Sequence, residues 1–169
     1  SLAEEGLLGL VFAVIIILIF LFSIRSTLVT AISIPISVLI TFIGMLASGY
    51  TLNVITLAGL TIAIGRVVDD SIVVIENIKR HIGLGEEKLP AILAAVREVA
   101  TAVTASTITT VAVFLPIALV GGLTGELFRP FALTVTMALA ASLFVALTIV
   151  PVLAYWFLGN TNAPKRPWT

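Results

Sequence analysis

An all-α membrane protein with five transmembrane helices is the fold class predicted by three features of this 169-residue sequence. The chain is 60% hydrophobic and 11% charged, where a soluble domain carries about 25% charged residues. Its mean hydropathy is +1.24. Its apolar residues collect into five long runs, and nearly all of the charge falls between them. A hydrocarbon core about 30 Å thick takes roughly 20 apolar residues of helix to cross, and each run meets that length.

The expected spans run over residues 6–24, 28–47, 52–75, 103–120 and 131–158. The last is about 28 residues long, enough to require tilt or an overhang into the interface. Short connections are expected at 25–27, 48–51 and 121–129, the last carrying a Gly-Gly-Leu-Thr-Gly turn. The longer connection, 76–102, contains "EEKLPAILAAVREVATAV". It predicts an interfacial amphipathic helix over about 88–102, with Pro90 near its first turn and Ile92, Val96, Val99 and Val103 on one face, which then turns into the fourth span. A solvated linker helix is the plainer alternative. Residues 159–169 are expected to form a cytoplasmic tail.

Seven of the nine Lys and Arg residues fall on one side of such a bundle: Arg25, Lys79, Arg80, Lys88, Arg97, Lys165 and Arg166. The positive-inside rule makes that side, and the C-terminus, cytoplasmic and leaves the N-terminus outside. Glu4 and Glu5 stand where a signal peptide has its basic region, so no signal is read. A chain that starts outside without one is expected to lack a preceding span. Net charge is zero and there is no cysteine. Nucleic acid is therefore not an expected partner, and no metal or disulfide is read.

Within the spans, Ala138, Ser142 and Ala146 form one small-residue stripe and Ser37, Thr41, Gly44 and Ser48 another, both read as helix-contact faces. Pro35, Pro116 and Pro151 should kink or loosen their helices. Thr101, Thr104, Ser106, Thr107, Thr109 and Thr110 cluster at the start of the fourth span. Their hydroxyls either bond back to carbonyls of the preceding turn or line a hydrated path, for which Thr107 and Thr110 are the candidates.

The strongest chemical signal is "TIAIGRVVDDSIVVIEN", which sets Arg66, Asp69 and Asp70 inside the third span. A charge at the centre of a membrane helix costs about 2.5 to 3.5 kcal/mol, so three of them demand compensation. Arg66 lies three residues before Asp69 and four before Asp70, close enough to pair with either but not fully with both. The aspartates sit roughly 7 Å to the cytoplasmic side of the span's centre. The cluster carries a net charge of minus one, which a proton or another helix's cation would cancel, and its two carboxyls should titrate as a unit. A competing possibility ends the span early and makes Asp69 the N-cap of a helix starting at Ser71.

The stretch "GRVVDDSIVVIEN" resembles the fourth transmembrane helix of the resistance–nodulation–division (RND) transporters, in their AcrB-like hydrophobe/amphiphile efflux branch. "FLFSIRSTLVTAISIPISVLITF" resembles their second and third helices, and "TASTITTVAVFLPIALVGGLTGELFRPFALT" the fifth and the loop into the sixth; nearly all of residues 1–158 aligns in order. The resemblance implies helices two to six of an RND-type bundle. It also implies a proton-driven exporter of the bacterial inner membrane, with Asp69 and Asp70 as the proton relay and the proton-motive force in place of any cofactor. The implied partners are the lipid bilayer, a first span, a porter region and a second half outside this sequence, two further copies in a homotrimer, and a periplasmic adaptor. In the family the porter region sets the cargo. Most members of the branch carry an apolar residue where Arg66 stands, and a lysine of the second half balances the aspartates. Arg66 is therefore a candidate counter-ion that supplements, replaces or ignores that lysine.

Two other function classes fit less well. An intramembrane aspartyl protease needs aspartates on facing helices, whereas these are adjacent on one helix and no other span contains an Asp. A sterol-sensing or protein-export-assisting RND relative would keep the helices but carry a different fourth-helix motif; a lipid-exporting relative and a non-transporting assembly segment are the remaining alternatives.

Overall fold

The computed structural model describes residues 1–159, and all of its regular structure is helical. The order is α1 (Leu2–Leu21), α2 (Ile24–Ala47), α3 (Val54–Gly83), α4 (Lys88–Ala118), α5 (Gly122–Phe144), a π-helical turn (Val145–Ile149) and α6 (Val150–Phe157). α1, α2, α4 and the continuous α5–α6 unit are long and apolar enough to cross a membrane. α3 has the length, but Arg66, Asp69 and Asp70 interrupt its apolar run. With it the expected five helices are complete. The tail beyond Gly159, with Lys165 and Arg166, lies outside the described residues.

Several boundaries differ from the sequence expectation, each for a local reason. The first break falls at Phe22, in a left-handed conformation with φ 49°, and Ser23 caps α2 by accepting a hydrogen bond from the Ser26 N–H. Arg25 therefore lies in the first turn of α2 and not in a connection. Asn53 caps α3 with its side-chain oxygen on the N–H groups of Ile55 and Thr56. α3 then continues to Gly83, so Glu76 to Gly83 is helix where a linker was expected. That continuity also removes the possibility that Asp69 begins a new helix.

The expected interfacial helix and fourth span form one helix, α4, with no turn between them. Nothing from Ala91 to Leu115 supplies a glycine or proline to break it. Likewise, the expected 121–129 connection shrinks to a tight turn, because α5 begins at Gly122, whose φ is +73°. A Cβ on Gly125 would fall on the Val120 carbonyl, so the turn closes only with glycine there. Arg129, in the third turn of α5, donates from Nε to the Ala118 carbonyl at 2.9 Å and closes the end of α4. Pro151 does disturb its helix. The π turn immediately before it widens the backbone, relieving the clash that the proline ring would make with the carbonyl four residues back.

The first small-residue stripe is a contact face throughout, and the second only over its earlier members, because Ser48 is exposed and donates to the Gly44 carbonyl of its own helix. Ala138, Ser142 and Ala146 are buried, as are Ser37 and Thr41. Gly59 of α3 lets α5 approach until a Cβ there would lie 3.1 Å from the Phe131 carbonyl oxygen. The main core joins α2, α3, α4 and α6 through Val29, Val74, Ile75, Ile78, Ala91, Ala95, Val150 and Ala154. α1 contributes Ile17 and Leu21 to it, packs Leu10 against it and half-buries Ala13 and Val14. Its last turn is held by Lys79, whose ammonium donates to the Leu21 carbonyl at 3.0 Å.

The α3–α4 junction, at the basic end and outside the expected spans, is held by ion pairs between side chains. One carboxylate oxygen of Glu98 accepts from Asn77 at 3.0 Å, Arg80 at 2.6 Å and His81 Nε2 at 2.8 Å, while His81 Nδ1 faces Glu86 at 3.0 Å. With a carboxylate on each ring nitrogen, only the doubly protonated imidazolium donates to both. The hydrogen bonds to Glu98 and Glu86 accordingly raise the His81 pKa above 6.5. The bonds from His81 and Asn77 lower Glu98 to about 2. A raised histidine contributes its stability in full below 6.5 and loses it as pH rises through the folded-state value. A lowered glutamate contributes above 4.5 and loses it as pH falls towards 2. Hydrogen-exchange protection of residues 77–98 is thus expected to be greatest near pH 4.5–6.5 and to decline on the alkaline side. His81→Gln should flatten that alkaline decline; a wild-type profile that stays level from pH 6 to 9 contradicts the assignment.

Candidate functional site

The placement of the charged cluster follows from the helical period of α3. Its buried stripe runs Thr56, Gly59, Leu60, Ala63, Val67, Asp70, Ser71, Val74, Ile75 and Ile78. Asp70 falls on that stripe, and Asp69, about 100° around the helix, does not. The Asp70 side chain is 5% exposed, whereas Asp69 is exposed and has no hydrogen-bond or ion-pair partner among the described residues.

Arg66 stands one turn before Asp70 and resolves the choice left open by spacing. Its Nη2 donates to Asp70 Oδ1 at 3.5 Å and to Ser106 Oγ of α4 at 2.6 Å. The other Asp70 oxygen, Oδ2, accepts from Ser142 Oγ of α5 at 3.1 Å. The carboxylate is therefore held between its own helix and α5, and the arginine between α3 and α4. One residue on, Ser71 and Ser33 of α2 share a hydrogen bond at 2.9 Å, which fixes the rotation of α3 against α2.

Three members of the hydroxyl cluster take the first of the two roles considered for it, the bond back to the preceding turn. Thr107, Thr109 and Thr110 donate to the carbonyls of Val103, Ala105 and Ser106, four residues back. Their O–H groups are occupied within α4, although each oxygen can still accept. Ser106 is the member that reaches across to α3. Sequence reasoning named Asp69, Asp70, Arg66, Thr107 and Thr110, and treated Ser142 as a packing residue only. Ser142 and Ser106 are what it missed as site residues. Each was visible as a small polar residue on its helix, but which faces α3 depends on packing between helices.

The arrangement is a buried carboxylate with one adjacent cation and one hydroxyl donor, α5 reaching the carboxylate through Ser142 and α4 reaching the cation through Ser106. That chemistry suits gain and loss of a proton. Among the described residues no group of three or more His, Cys, Asp or Glu could hold a metal ion.

The family model described as the AcrB/AcrD/AcrF family matches residues 1–168. The chain belongs to the AcrB/AcrD/AcrF family. It is 51% identical over 171 residues to the swarming motility protein SwrC of Bacillus subtilis (strain 168), covering 98% of this chain and 16% of that protein. It is 44% identical over 165 residues to the multidrug resistance protein MdtC of Salmonella newport (strain SL254), covering 96% of this chain and 16% of that protein. The chain thus spans about one sixth of the length of these relatives. As an AcrB-like RND segment with these helices, it is multi-pass membrane protein.

Proposed function

We propose that this chain forms the proton-relay part of a proton-driven RND exporter of drugs or other hydrophobic and amphiphilic compounds in the bacterial inner membrane, with its N-terminus outside and its C-terminus in the cytoplasm. The observation that carries the reading is the buried Asp70 carboxylate, bonded to Ser142 and flanked by Arg66 as counter-ion. Asp69, on the outward face of α3, is the second relay group and faces the remainder of the transporter. Thr107 and Thr110, with acceptor capacity left on α4, border the hydrated path.

In this cycle a proton arriving from outside neutralises the aspartates, α3 shifts against α4 and α5, and release to the cytoplasm resets the packing. A membrane potential supplies about 2.3 kcal/mol per charge for each 100 mV, enough to bias a two-state helix packing. Trimer formation, an adaptor and the choice of cargo belong to the rest of the transporter. The test is reconstitution of the native protein in vesicles with an imposed pH gradient. Cargo should accelerate dissipation of the gradient, and cargo movement indifferent to the gradient refutes the reading. In the same assay Arg66→Leu should displace the pH profile of transport, because it removes the only cation beside Asp70 among the described residues. An Arg66→Leu profile that overlays the wild type removes Arg66 as counter-ion.

A further inference from the structure

Four hydroxyl residues follow one another closely on α4, and three of them spend their protons on the preceding turn. The fourth, Ser106, has no such back-bond; its Oγ instead accepts from Arg66 Nη2 at 2.6 Å, the shortest contact the guanidinium makes. The same nitrogen reaches Asp70 at 3.5 Å. A long arginine side chain has many rotamers when free, so a fixed acceptor on a second helix decides where its charge rests. Without Ser106, Arg66 can swing towards the exposed Asp69 or away from both carboxylates.

We infer that Ser106 is a positioning residue that holds the Arg66 guanidinium against Asp70 and so makes α4 a party to the α3 ion pair. The inference rests on the relay reading and adds a regulation to it: displacement of α4 relative to α3 withdraws or restores the cation beside the proton site. Among the described residues, few charged groups stand near the pair to compete with this cause. Asp69 is its only charged neighbour on α3. The charged residues of α4 nearest Ser106, Arg97 and Glu98, lie eight or more residues back, about 12 Å along the helix. α2 contributes only Arg25, in its first turn, α5 only Glu126 and Arg129, in its first three turns, and the π turn and α6 have no Asp, Glu, Lys, Arg or His. Ser106 is exposed in this bundle, so its loss removes no core packing among the described residues.

The test is the pH profile of proton-coupled transport by the native protein in vesicles. Ser106→Ala should move the midpoint in the same direction as Arg66→Leu and by less, at unchanged membrane abundance. Ser106→Thr, which keeps a hydroxyl, should restore the wild-type midpoint. In an Arg66→Leu background, Ser106→Ala should add nothing. A Ser106→Ala profile that overlays the wild type while Arg66→Leu is displaced overturns the inference and leaves the relay standing. An equal displacement by Ser106→Ala with and without Arg66 overturns it too. Failure of the relay itself looks different: Asp70→Asn would retain proton-coupled transport, and both readings would fall together.

Discussion

Asp70→Asn is expected to reduce proton-coupled transport to the background of empty vesicles while the protein remains inserted at wild-type abundance. The substitution keeps the shape of the side chain, and its amide oxygen can still accept from Ser142, the bond that ties α3 to α5 at 3.1 Å. What it removes is the titratable proton and the charge that Arg66 faces. Asp69→Asn should also abolish transport, for a reason that is easier to separate from folding: Asp69 is exposed and bonds to nothing among the described residues, so its replacement disturbs no contact of this bundle. Gradient-driven uptake into everted vesicles, read beside quantitative immunoblotting, checks both variants. Retained transport in both refutes the relay, and loss of Asp70→Asn from the membrane would show instead that the carboxylate is needed for assembly.

The sequence already contained the class of the site but not its asymmetry. Three ionisable groups in an apolar run are costly enough to be conspicuous, and their spacing places Arg66 within reach of both aspartates. Which aspartate is enclosed depends on the rotation of α3, and that is set by contacts distant in sequence: Ser71 with Ser33, Gly59 with Phe131, and Ala63 beside Ala138. Ser142 looked like one member of a four-residue repeat, and only the approach of α5 turns it towards Asp70. The helix boundaries were misplaced where local punctuation was weak. Charge alone suggests a linker over Glu76 to Gly83, although nothing before Gly83 stops a helix, and the Arg80, His81 and Glu98 bonds hold that segment to α4. In the opposite sense, the turn expected from the glycines at 121, 122 and 125 is there but far shorter than the 121–129 connection, being tight enough for α5 to start at once.

These same contacts make the spacing of α3 and α5 the mechanical requirement of the site, and Gly59 is where it can be altered. A Cβ at this position would meet the Phe131 carbonyl oxygen at 3.1 Å and the Val135 Cγ2 at 3.3 Å. The first of these is backbone within α5 and can yield only if the helix moves. Gly59→Ala gains about 1 kcal/mol of helix propensity, which roughly offsets the squeeze. Gly59→Val adds two further carbons on a stiff, branched side chain, and overpacking of this kind costs about 1 to 3 kcal/mol. The valine variant should therefore unfold in detergent at a clearly lower temperature than the alanine variant, which should stay close to the wild type. Its effect on transport should exceed its effect on stability, because a wedge eleven residues from Asp70, about 16 Å along α3, tilts the helix away from the Ser142 hydroxyl. Loss of transport from a Gly59→Val protein that is still folded at the assay temperature is the expected outcome. A valine variant with wild-type melting and wild-type transport would mean that α3 and α5 do not need this close approach.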